Sequence, residues 1–262
     1  DVMGTLRLLF ISSVFTYRAL FMWLNPAAYF FNKMLVPLMQ MSFFSLLGLF
    51  GGAQPLAFYL VGNAVVVAYR PMFTIAQTVA GERRQGTLPY LVASPANRVV
   101  LFFGRGIGQA LDGLIDVIVA FLIAAILFGL DLSNANLLGI ALAIVVAVYG
   151  ASALGLFLGA AAYLVLDSNF LANTVMFAIL LLTGANVPLT ELPGFLLPIS
   201  WILPLTRSVE AARIFTAGGE LASGVGLLAI DAAVGTIWAL TGLALFSWIE
   251  LQARRRGSLE GF

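Results

Sequence analysis

Chemistry in this chain has few side chains to draw on. It contains neither His nor Cys, which removes soft metal sites, thiol nucleophiles, Ser-His triads and imidazole proton relays together. Four ionisable residues lie within otherwise apolar runs: Arg70, Asp112, Asp116 and Asp231. A charge in hydrocarbon is costly, so each is a functional candidate by default. Asp112 and Asp116 stand at i and i+4 and share a helical face. Counted from the ends of their segments, Arg70 and Asp116 reach similar depths, roughly 15 and 16 Å along the helix axes. The expectation is an ion pair of Arg70 with Asp116, or failing that with Asp112, that locks two neighbouring helices rather than holding a substrate. For Asp231 the sequence offers no partner.

Composition dictates what must position these residues. Of the 262 residues, 61% are hydrophobic and 10% charged, against about 45–50% and about 25% in soluble domains. The net charge of +1 gives no reason to expect nucleic acid as a partner. The chain reads as a single all-α integral membrane domain, residues 1–262. Six runs approach the roughly 20 apolar residues that span a bilayer: 34–50, 56–80, 99–130, 137–166, 170–187 and 224–249. The opening stretch, about 2–18, does not read as a cleaved signal peptide. It places Arg7 and Arg18 on nearly one face, which fits an interfacial helix. Between the last two spans, FLLPISWILPL is apolar but short and broken by prolines, the pattern of a re-entrant or interfacial element.

Basic residues orient the bundle. Arg7, Arg18, Lys33, Arg83, Arg84, Arg98, Arg105 and the cluster Arg254, Arg255, Arg256 fall on one side, leaving Arg207 and Arg213 on the other. The bias places both termini and the loop GERRQGTLPYLVASPANR, residues 81–98, in the cytoplasm of a cell membrane. That loop opens with charge (Glu82, Arg83, Arg84). It then passes Gly86 and a candidate N-cap at Thr87, and offers Leu88, Leu91 and Val92 on one apolar face before Pro95 stops the helix. A short exposed helix of this kind suits docking on a soluble partner. It equally suits a plain connector whose arginines anchor topology.

The run E-R-R-x-G-T-L-x-x-L-x-x-S-P, Glu82 to Pro95, resembles the cytoplasmic loop motif of ABC-2 type exporter permeases, the drug-type branch especially. A second stretch, NVPLTELPGFLLPISWILPLTRSVEAAR, is similar to the external re-entrant element of the same family, so Pro188, Leu192, Pro193 and Pro204 are expected in an external gate. Span count, termini and interfacial helix agree with the family over nearly the whole chain. The chain departs from the pattern at Pro89, where an acidic residue is usual. Proline is tolerated in the first helical turn, so the helix would begin at Leu88 or Pro89.

The resemblance implies a dimer of permease halves, identical or different, each docked through the 82–95 element on a separate ABC ATPase subunit. This chain would bind no cofactor. It has no G-x-x-x-x-G-K-[ST] to cradle ATP phosphates, so ATP and Mg belong to the partner. GRGIG, Gly104 to Gly108, is read as helix-packing glycine. The family also implies a substrate cavity lined by spans one, two and five. The candidates are Gln40, Met41, Phe43 and Phe44 with Asn173, Met176 and Phe177. Met and Phe suit loosely specified apolar ligands, although residues at this spacing are commonly plain packing.

The expected function is export of small amphipathic, drug-like or lipid-like compounds. Export of polysaccharide or lipid-linked glycan is the alternative within the family. Outside it stand an ATP-independent secondary transporter and an intramembrane enzyme. Asp112-x-x-x-Asp116 is similar to one aspartate motif of membrane prenyltransferases, but no second such motif exists. Finally, Ala147, Ala151, Gly155 and Gly159 form a small-residue stripe for close helix packing.

Overall fold

The computed structural model describes residues 25–52, 54–84, 98–165 and 167–256. The expected interfacial helix at 2–18 lies outside the described residues. Among those described, the secondary structure is helical: α1 (Pro26–Gly51), α2 (Leu56–Val66), α3 (Tyr69–Arg84), α4 (Arg98–Phe128), α5 (Leu137–Ala161), α6 (Ser168–Leu182), a 3-10 turn (Leu189–Glu191), α7 (Leu197–Ile202), α8 (Thr206–Thr216) and α9 (Leu221–Arg256). Among the described residues five stretches are long and apolar enough to cross a membrane: Pro26–Gly51, Leu56–Thr78, Gly106–Phe128, Leu137–Ala161 and Leu221–Gln252. The all-α membrane architecture expected from composition is therefore the one observed.

Helix limits have local causes. α1 begins well before the expected start at Met34, because Asn25 accepts a hydrogen bond from Ala28 N and Pro26 occupies the first turn. α6 is an apolar helix of 15 residues, about 22 Å long and short of the roughly 30 Å hydrocarbon core. Asp167 caps its start. Gly184, at φ 79°, ends it where an expected span continued to Val187. The second span is broken into α2 and α3. Pro71 has no N–H to donate, and the carbonyl of Val67 instead accepts from Arg70 N at 3.0 Å. The break turns Arg70 toward α1 and α4.

α5 is the central post, packed against α3, α4, α8 and α9. It is apolar on all sides, buried where these helices pack and exposing Leu138, Leu142, Val145 and Tyr149 on its remaining face. Small residues let its neighbours come close. Ala147 and Ala151 are fully buried, and a Cβ on Gly155 would stand 2.7 Å from the carbonyl oxygen of Met72 in α3. On the side toward α9, a Cβ on Gly235 would stand 2.9 Å from Gly150 Cα. The stripe predicted from the sequence is thus a place where backbones meet.

Gly155→Val should separate α3 from α5 and destabilise the fold by about 1–3 kcal/mol, the usual range for overpacking. Gly226→Ala, where a Cβ meets nothing within 4 Å, is the matched control. Thermal unfolding in detergent, followed by monodispersity, compares the two; equal midpoints would show that the α3–α5 contact tolerates a side chain.

Candidate functional site

Two carboxylates on α4 gather charge from three directions. Arg70 Nη1 lies 3.2 Å from Asp116 Oδ1, within the range expected for a direct pair. Lys33 Nζ, from α1, lies 2.8 Å from Asp116 Oδ2 and 2.6 Å from Asp112 Oδ2. It also donates to the Asp112 carbonyl at 3.1 Å. The Tyr29 hydroxyl donates to Asp112 Oδ1 at 2.5 Å, and Lys33 sits 5.3 Å from the Tyr29 ring centroid. Arg70 further donates to the backbone carbonyl and side-chain oxygen of Asn32. The two cations and two carboxylates sum to zero, and Lys33, Asp112 and Asp116 are all buried.

Sequence reasoning left Lys33 out of this cluster. The sequence places it among the topology-setting cations outside span one, whereas α1 carries it inside the bundle at 5% exposure. Two signals were available. Asn25-Pro26 marks the earlier helix start, and Tyr29-Phe30-Phe31 continues the apolar run ahead of Lys33. The register that brings Arg70 to Asp116 is set by Pro71, whose ring lies over Gly113; a Cβ there would stand 2.5 Å from Pro71 Cγ.

At the opposite end of the bundle, charge organises the segment 188–213. Asp231 Oδ2 accepts from Leu205 N and Ser208 N at 3.1 Å each and from Ser208 Oγ at 2.5 Å. Leu205, at φ 81°, is the N-cap of α8 and supplies no capping side chain. The carboxylate on α9 takes that part, anchoring the first turn of α8 from another helix. Arg213 ends the same helix. It donates to Phe58 O and Ala185 O at 3.1 and 3.0 Å and lies 3.5 Å over the Phe58 ring, so it joins α8 to α2 and to the end of α6. Burial lowers its pKa to about 10, which still leaves it charged at neutral pH. Gly62 makes room for this clasp, since a Cβ there would stand 2.7 Å from Arg213 Nη2.

Beside this clasp a cavity of about 570 Å³ opens between α1, α2, α6 and the 3-10 turn. Its walls are largely apolar and include Phe44, Tyr59 and Phe177; Asn186, Pro188 and Glu191 stand among them. Of the expected cavity residues, Phe44 and Phe177 are lining groups. Met41 is fully buried in the core, and Met176 is half-buried against it. Phe43 is exposed. Asn173 donates back to Asn169 O, and Gln40 has a buried Nε2 without a hydrogen-bond partner among the described residues. Of the expected gate residues, Pro188 starts the 3-10 turn and Leu192 ends it. Pro193 is exposed, and Pro204 is buried against Gly150.

For the loop expected to dock on a partner, Glu82, Arg83 and Arg84 form the end of α3. Gly86, Thr87, Leu88, Leu91 and Pro95 lie outside the described residues, as does the question of where a helix begins near Pro89.

A family model described as ABC-2 type transporter matches residues 11–216. No curated protein matches the chain.

Each cation of the buried cluster compensates a carboxylate, so removing one should cost about 3–5 kcal/mol. Arg70→Met and Lys33→Met should both lower the unfolding midpoint, and Arg70→Met combined with Asp116→Asn should recover part of the loss. Unchanged midpoints in the single variants would mean the charges are not sealed from water. Asp231→Ala should cost about 0.5–2 kcal/mol, as for other lost caps. It should also speed proteolysis at 197–206 before the bundle opens; cleavage at the parental rate would show that the carboxylate does not hold α8.

Proposed function

Because the chain belongs to the ABC-2 type transporter family, and so is a permease subunit that works with an ABC ATPase in a membrane, we propose that it exports small amphipathic, drug-like or lipid-like compounds. The observation that carries this reading is the cavity between α1 and α6. Its lining is mostly hydrocarbon and aromatic, with Asn186 and Glu191 as its polar edge. Such walls suit ligands with an apolar body and one polar end. Its size favours a small molecule over a glycan chain.

Two permease halves make the transport unit, and their cavities face one another across the exposed side of α1. That side presents Phe30, Phe31, Met34, Phe43, Leu47 and Phe50, more apolar surface than a helix needs for its own fold. Glu82, Arg83 and Arg84 end α3, and on this reading that end faces the cytoplasm. With the residues up to Pro95 these form the element that receives the closing motion of the ATPase. ATP and Mg stay on that partner, and both termini of this chain lie on its side. The segment 188–213, anchored by Asp231 and Arg213, closes the cavity from outside.

The reading is tested with the complex reconstituted in vesicles. ATP should drive accumulation of an amphipathic dye, and a glycan-bearing lipid should not compete. Glu82→Lys with Arg83→Glu should cut transport by an order of magnitude while the protein still inserts and the ATPase still hydrolyses ATP. Full-rate transport by this variant would remove the docking role from the α3 end.

A further inference from the structure

By its place in the chain Arg207 belongs to a loop, but the structure sets it well inside the bundle. Pro204 packs on Gly150 of α5, where a Cβ would stand 2.9 Å from Pro204 Cβ. Gly150 lies roughly 20 Å along α5 from its start at Leu137. Leu205 N and Ser208 N, on either side of Arg207, bind Asp231, roughly 15 Å down α9 from Leu221. From there α8 climbs to Phe215, whose carbonyl accepts from Asn136 N at the head of α5 at 2.8 Å. Arg207 thus sits in the first turn of a helix that starts at mid-height of the bundle. A cation against hydrocarbon is costly at that level.

Its neighbours leave most of the guanidinium unmet. The last carbonyls of α7 have no helical partners, and each finds a donor here. Thr206 Oγ1 donates to Ser200 O at 2.7 Å, Trp238 Nε1 to Ile202 O at 2.8 Å and Arg207 Nη1 to Trp201 O at 3.0 Å. The last of these holds the guanidinium beside α7. Among the described residues Arg207 makes no other hydrogen bond and no ion pair. Asp231 Oδ2 already takes three donors, and Glu210, one turn further along α8, is exposed and not joined to it. Arg207 is itself half-buried, so Nε and Nη2 are open toward the outside of the bundle.

The surface beside it is hydrocarbon. Trp201 and Ile202 of α7 and Ile237 and Leu240 of α9 are exposed, and the Trp238–Ile202 bond joins the two groups into one face. That face belongs to α9, a stretch long and apolar enough to cross the membrane, so lipid chains cover it.

We propose that Arg207 binds the phosphate of a phospholipid from the adjoining leaflet, whose chains run along the face shared by α7 and α9. A guanidinium fork matches phosphate oxygens, and the anion supplies the charge that no described carboxylate brings into contact. Ile237 and Leu240 follow Asp231 along α9, deeper than Arg207, so hydrocarbon lies below the headgroup as a lipid requires. The headgroup is drawn beneath its usual level, the local thinning by which a membrane meets a charge within a span. None of these residues lines the cavity between α1 and α6, and the inference stands independently of what the chain transports.

The test uses the full chain in nanodiscs of neutral glycosyl diacylglycerol. Trp201 is one of four tryptophans, so its share of the fluorescence is the difference between the parental protein and Trp201→Phe, which keeps the backbone carbonyl. Phosphatidylglycerol brominated on its chains should quench that share at a several-fold lower mole fraction than the equally brominated neutral lipid. Arg207→Gln should abolish the difference, and Arg207→Lys should keep part of it. Equal fractions for the two lipids in the parental protein overturn the proposal, even if the Arg207 variants do not fold. So does a folded Arg207→Gln that retains the preference. Loss of the preference on adding inorganic phosphate would make the site one for a free anion and overturn the lipid assignment.

Discussion

Charge buried in a hydrocarbon bundle must be met by charge or by hydrogen-bond donors, and that constraint organises this molecule more than any apolar contact. The four-charge cluster ties α1, α4 and the α2–α3 break together at one level. No two of those helices can rotate independently without exposing a carboxylate or a cation to lipid. Pro71 and Gly113 supply the shape that makes the meeting possible. The proline interrupts the second span, and the glycine lets the interruption seat against α4. The hydrocarbon residues around them set the density of packing, but many rotations of a smooth apolar helix would pack nearly as well.

The same constraint recurs at the other end in a different form. Among the described residues Asp231 has no cation in hydrogen-bond contact; it is met by backbone N–H groups and a hydroxyl at the start of α8. Arg213 has no carboxylate in contact among the described residues; it is met by two carbonyls and an aromatic face. Helix ends carry unpaired N–H and C=O groups of their own, so a single buried charge can be satisfied by the ends of short helices. This is how a segment of brief, proline-broken elements acquires a definite position. Its two anchors lead to different parts of the bundle, Asp231 to α9 and Arg213 to α2 and the end of α6. A movement of α2 against α9 would therefore pull on α8 from both ends.

Between these levels stands α5, packed against α3, α4, α8 and α9 and almost without polar groups. Its small residues allow α3 and α9 to approach to backbone contact, so both are fastened to the same post. α1 contrasts with this arrangement. It shares one line of residues with the bundle and leaves the rest of its surface exposed. The cavity lies on the side of the loosely held helix, where a change in wall position disturbs least of the core.

Much of this was readable in the residue string. Hydropathy placed the apolar runs, because the need for about 20 apolar residues per crossing is independent of neighbours. Gly184 and Asn25-Pro26 mark helix ends through backbone chemistry that is local to each. The depth of Arg70 and Asp116 followed from helical rise alone. Tertiary structure decided which faces meet. Lys33 reads as the edge of a span because a lysine closes an apolar window, yet rotation of α1 turns it onto α4 and into the cluster. Asp231 has no partner legible in the sequence because it is met by backbone N–H groups and one serine hydroxyl of a segment more than twenty residues away, and such neutral donors leave no mark in charge patterning. Met41 and Phe44 are near neighbours on the same helix, but one is core and the other cavity wall. That division depends on the orientation of α1, which is fixed by charges on another helix.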